Sequence, residues 1–183
     1  KFLDVARRVA DHIDATFGPD KRHDCPGHEE LELALMKLRR QVGDEKYLKL
    51  ASYFVDQRGH ANGRRLFGEY AQDHKPVREQ DEVVGHAVRA MYLFCGMLDV
   101  AVATGDASLI RPLVKVADDV IGAKMYVTGG IGSSGANEGF TQPFDLPNDS
   151  AYCETCASIG MGLWNHRMYL ATGDSRYADV VER

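Results

Sequence analysis

Apolar side chains return every three or four residues along most of this chain, the spacing that lines one face of an α-helix. Leu31, Leu35, Leu38 and Val42 form one stripe, and Tyr47, Leu50, Ala51 and Phe54 form the next. Gly43-Asp44 stands between them, and the same dipeptide returns between helical patterns at Gly105-Asp106 and Gly173-Asp174. Glycine takes the left-handed conformation that closes a helix, and the following aspartate accepts from the free N–H groups of the next. The pattern predicts three helical hairpins, each with antiparallel partners. The second leading helix carries Ala87, Ala90, Met91, Phe94 and Leu98, a broad apolar surface that predicts burial on more than one side. The third begins near Cys153 and runs through Ile159, Leu163, Met168 and Leu170. At the start, "FLDVARRVADHIDATFG" reads as the outer helix of a preceding hairpin, stopped by Gly18-Pro19.

Repeated hairpins bury their faces only against neighbours, in a solenoid or a closed ring. The intervals here exceed the roughly 34–47 residues of the common helical repeats. The surplus lies in three loops, residues 18–28, 59–85 and 124–152, each preceding a leading helix. Long loops on one side of a regular frame usually carry function. All three end in titratable groups: "CPGHEE" with His28, "VVGHAVRA" with His86, and "YCETCAS" with Glu154 and Cys156. Unpaired N–H groups at helix N-termini receive hydroxyl-rich or anionic ligands well. A single Gly-His reads as a polar cap. Two at equivalent positions, with an acid–thiol cluster at the third, point to one shared site.

The stretch "YVTGGIGSSGANEGFTQPFDLPND" holds five glycines and Glu138. It lacks the Gly-Lys-Ser/Thr of a phosphate loop, so the glycines are read as serving tight turns and close backbone approach. A carboxyl in such a loop can give and take a proton. The Cys153-Glu154-Thr155-Cys156 run admits three readings. A redox pair wants a strand and a βαβ context, and a closed zinc knuckle wants a second ligand pair of matching spacing. The helical setting and the isolation of Cys25 and Cys95 leave Glu154 and Cys156 as joint metal ligands. Residues two apart on a helix point apart, so both face one ion only where the backbone is entering the helix. Thiolate plus carboxylate suits zinc, with further ligands from His28, His86 or outside these residues.

Composition narrows the partners. The 183 residues carry a net charge of −5, with 44% hydrophobic and 27% charged positions, so no nucleic-acid partner is expected. No apolar run approaches the roughly 20 residues of a membrane span, so no membrane partner is expected either. Four cysteines are too few for a disulfide scaffold, and free thiols lean toward the cytoplasm.

The segments "GHEELELALMKL", "GHAVRAMYL", "YVTGGIGS", "NEGF", "FDLPNDSAYCETCAS" and "HRMYLATGDSRYADV" together resemble the β-L-arabinofuranosidase family, glycoside hydrolase family 127. The resemblance spans essentially the whole chain. It implies an all-α fold of repeated helical hairpins, with residues 1–183 forming about half of an (α/α)6 toroid that continues into further hairpins and β-sandwich domains. It implies retaining exo-hydrolysis of L-arabinofuranoside-type glycans by a cysteine nucleophile beside zinc. Glu138 matches the general acid/base, Glu154 and Cys156 match zinc ligands, and His28 and His86 match sugar contacts. The nucleophile belongs to a Cys-Cys pair that this sequence does not contain, and no role carries onto Cys153. Two other readings stand beside this one: a sugar-binding toroid without catalysis, and a sugar epimerase using the paired histidines. The Glu-x-Cys cluster disfavours the epimerase, because proton shuttling needs no thiolate. An incomplete ring exposes apolar faces, so the piece alone is expected to be poorly stable or to self-associate as a homo-oligomer.

Overall fold

Gly43, Gly105 and Gly173 all adopt left-handed backbone, at φ 71, 70 and 72°, in a computed structural model that describes residues 1–183. Each ends one helix, and the next begins within three residues. Asp106 and Asp174 accept from the N–H groups of Ser108 and Arg176, and Asp44 from that of Lys46. The elements are α1 (Phe2–Thr16), α2 (Leu31–Val42), α3 (Lys46–Gln57), α4 (Ala87–Thr104), α5 (Ala107–Asp119), α6 (Thr155–Thr172) and α7 (Ser175–Glu182). There are no strands; β pairing is confined to isolated bridges within and between loops.

The helices form two rows. The leading helices α2, α4 and α6 lie side by side with α4 in the middle, and α3, α5 and α7 back onto them. α1 packs against α2 and α3 at one end. By length and composition α4 could cross a membrane, yet 72% of it is buried against protein, which marks a core helix. Its neighbours come close because Gly96 and Gly160 lack side chains. A Cβ there would lie 2.7 Å from Glu32 Cβ and 2.8 Å from Met91 Cβ.

The loops precede the leading helices, on one end of the frame. α5 runs on through a π-helical turn, Val120–Lys124, and this end grips the second loop. Asp119 accepts from the N–H of Val83 at 2.8 Å, and the Lys124 ammonium donates to the Val83 carbonyl at 2.9 Å. The first loop is held from beneath by Arg58, which is fully buried. Its guanidinium donates to Glu29 at 2.8 Å and to the carbonyls of Ala71 and Pro26, and lies 3.6 Å from Glu32. One cation therefore faces two carboxyl groups with no solvent exposure. Burial raises both carboxyls, Glu29 to about 7.

Candidate active site

Glu138 sits at φ +51°, in the left-handed region that a residue with a side chain rarely occupies. The loop imposes this conformation by pairing on both sides of it. Gly139 exchanges N–H···O bonds with Ser134, the Phe140 N–H reaches the Gly85 carbonyl at 2.9 Å, and the Glu138 carbonyl accepts from Ala87 at 3.1 Å. A Cβ on Gly139 would stand 1.8 Å from the Gly85 oxygen. The glycines thus permit backbone to lie on backbone, and the pairing sets Glu138 beside His86. Left-handed backbone at a non-glycine costs about 1–3 kcal/mol and persists where surrounding bonds over-determine it.

His86 caps α4. Its Nδ1 faces the Arg89 N–H at a long 3.5 Å, and its Nε2 shares a hydrogen bond with the Glu138 carboxyl at 3.0 Å. The imidazole is buried while the Glu138 side chain is 47% exposed, which leaves the acid open to a ligand. The same glycine loop is laced to the segment ahead of α6: Cys153 N–H to the Gly132 carbonyl at 2.9 Å, and Tyr152 N–H to that of Ser133. That lacing brings in the third group. Donor atoms of His86, Glu138 and Glu154 all lie within 4.8 Å of one another.

Glu154 is the N-cap residue of α6 and Cys156 lies in its first turn, where the chain passes from extended to helical backbone. The carboxylate and the thiol interact: burial first, then Glu154, pushes the Cys156 thiol up. One Glu154 oxygen, Oε2, is buried with no hydrogen-bond partner. A neighbouring cation is what such an orphaned acceptor lacks, and carboxylate plus thiol is a donor set that suits zinc. Cys25 and Cys95 are buried, and that burial pushes each to about 12. Cys156 is the exposed thiol of the four.

His28 is exposed on the first loop, its ring tilted 6.4 Å from that of Tyr92 on α4. Burial, then the charge of Arg89, lowers it from the ordinary imidazole value. The structure thus gathers His86, Glu138 and Glu154 tightly, sets Cys156 against Glu154, and leaves His28 outside that cluster, beside Tyr92.

Four residues at the site carry no signal in the apolar pattern alone. Tyr70 meets the His86 ring edge-on at 5.4 Å, Arg89 lies over the Tyr70 ring at 5.1 Å, Tyr92 faces His28, and Tyr152 interacts with Glu154. A charged residue in the first turn of a largely apolar helix was the available clue to Arg89.

Paired carboxylates, two imidazoles and a thiol at the loop end of a helical-hairpin frame define an all-α protein with a site suited to a polar, hydroxylated ligand. The chain belongs to a known family of this kind: residues 1–183 match the model of the β-L-arabinofuranosidase, GH127 catalytic domain. It is 40% identical over 201 residues to a non-reducing end β-L-arabinofuranosidase of Bifidobacterium longum subsp. longum, covering 99% of this chain and 30% of that one. Among solved structures it is similar to a GH127 β-arabinofuranosidase at 49% identity and TM-score 0.94, covering 99% and 28% of the two chains. A GH127 β-L-arabinofuranosidase from Geobacillus stearothermophilus T6 matches at 45% identity and TM-score 0.92, covering 99% and 31%. The chain therefore spans under a third of the length of these relatives.

Proposed function

We propose that residues 1–183 form one wall of the catalytic site of a retaining exo-acting β-L-arabinofuranosidase, with Glu138 as its general acid/base. The convergence of His86, Glu138 and Glu154 within 4.8 Å, in a chain of this family, carries the reading. In its protonated form Glu138 delivers a proton to the departing glycosidic oxygen, and then takes one from the water that releases the sugar. Its partial exposure gives it access to both, and the His86 hydrogen bond holds the carboxyl in one orientation. His28 holds a sugar hydroxyl, and His86, with both ring nitrogens engaged, fixes the sugar through the Glu138 carboxyl that it orients.

Glu154 and Cys156 would hold zinc, through the unpartnered Oε2 and the thiolate. Bound there, zinc supplies the positive charge that keeps nearby thiols ionised at neutral pH. Two donors fall short of the four that zinc takes, so on this reading the remaining ligands come from His86 or from further chain, which also supplies the cysteine nucleophile.

In the full-length protein, Glu138→Gln is expected to lower L-arabinose release from a β-L-arabinofuranoside by roughly 10²–10⁴-fold, the usual contribution of a positioned acid/base. Unimpaired turnover by that variant would remove Glu138 from the mechanism.

A further inference from the structure

Helix packing does not account for Arg89. Val88, Ala90 and Leu93 beside it on α4 are apolar, and an apolar side chain would fill this place without taking most of a guanidinium out of water. Its Nη1 donates to the Gly27 carbonyl, immediately ahead of His28. The same nitrogen lies 3.7 Å from the buried Glu29 carboxylate, immediately after His28. The guanidinium carbon lies over the Tyr70 ring, 5.1 Å from its centre, and Tyr70 in turn meets the His86 ring at 5.4 Å. Tyr70 also gives its backbone carbonyl to the His86 N–H at 3.1 Å. Arg89 Nε is buried without a partner, a cost that a residue kept only for volume has no reason to bear.

We infer that Arg89 is a positioning residue, a clamp that ties the His28 loop to the Tyr70–His86 segment so that His28 and the His86–Glu138 pair address one ligand. What the clamp positions rests on the glycosidase reading above; that it joins the two loops stands on the contacts alone. Arginine suits the task because its planar fork donates along its edge and stacks on its face at once. Lysine reaches the Gly27 carbonyl but has no face to lay on Tyr70. No bond from Arg89 to the ligand is needed, since it acts through His28 on one side and through Tyr70 on the other.

The test uses the full-length protein and p-nitrophenyl β-L-arabinofuranoside, with KM and kcat determined separately. Arg89→Met is expected to raise KM by about 10-fold or more, as a loosened substrate-holding group does, while the melting temperature shifts little. His28→Ala should do the same. Because Arg89 reaches the ligand partly through His28, the two losses overlap, and the double variant should fall within about 3-fold of the worse single variant. Arg89→Lys should restore only part of the loss. An unchanged KM in Arg89→Met, fully multiplicative effects in the double variant, or complete rescue by lysine would each overturn the clamp. If the wild-type protein releases no arabinose, the glycosidase reading falls by itself. The clamp is then decided by crystal structures of wild type and Arg89→Met. A Gly27–His28 segment moved away from α4 supports it, and a superimposable one overturns it.

Discussion

Gly139 shows how little room the site leaves at the scale of one residue. A methyl group placed there would overlap the Gly85 oxygen at 1.8 Å, and neither partner is a side chain that can swing aside. The two backbones would have to part, breaking the Phe140 to Gly85 hydrogen bond and carrying Glu138 away from His86. Gly139→Ala in the full-length protein should therefore lower kcat/KM by about 10²-fold or more, the scale of an ångström-sized misplacement of a reacting group. Circular dichroism should show its helices intact, and kcat/KM within a few-fold of wild type would contradict the lacing described here. The sequence signalled part of this. Five glycines around one acid announced a close approach of backbone, but the surface approached, Gly85, belongs to a different loop and leaves no local mark.

At the scale of elements, the hairpins were legible because their determinants are local: a glycine to end one helix, an aspartate to start the next, and an apolar stripe on either side. The ionic cluster beneath the first loop was not. Arg58 in "DQRG" and Glu29 and Glu32 in "GHEELEL" look like ordinary polar positions at helix ends. They are buried because α2 is covered on its second face by α4 and by the loops, which a single-stripe pattern does not reveal. This cluster carries a pH dependence of definite sign. Glu29 titrates at about 7 in the fold against a usual 4.5, so the folded state binds the proton more tightly than the unfolded state does. Its contribution is fully present below about 4.5 and is lost as pH rises through 7, a change on the order of 3 kcal/mol. Glu29→Gln cannot ionise and removes that dependence. Thermal melts of the two full-length proteins should show wild type losing ground to Glu29→Gln as pH rises from 5 to 8. A constant difference across that range would mean that Arg58 and Arg89 keep Glu29 ionised throughout.

At the scale of the whole molecule, both ends of the helical rows present apolar side chains to solvent. Phe2, Val5 and Val9 on α1 are exposed, as are Ile159 and Leu170 on α6 and Val181 on α7. Further helices of a longer chain would bury these faces, and exposed they favour self-association. On the proposed reading the metal site depends on more chain in the same way, since Glu154 and Cys156 offer two donors and zinc takes four. The two features make one prediction. Full-length protein purified under reducing conditions should hold one zinc per chain by elemental analysis, and Cys156→Ala should lose it. Residues 1–183 alone should keep none through dialysis, because affinity for a structural ion depends on a closed set of ligands held by the fold. A fragment that retains stoichiometric zinc would show that this chain completes the shell itself. His86 and Glu138, which already stand within 4.8 Å of Glu154, would then be the ligands to reassign, and Glu138 could no longer be the free acid that the proposed hydrolysis requires.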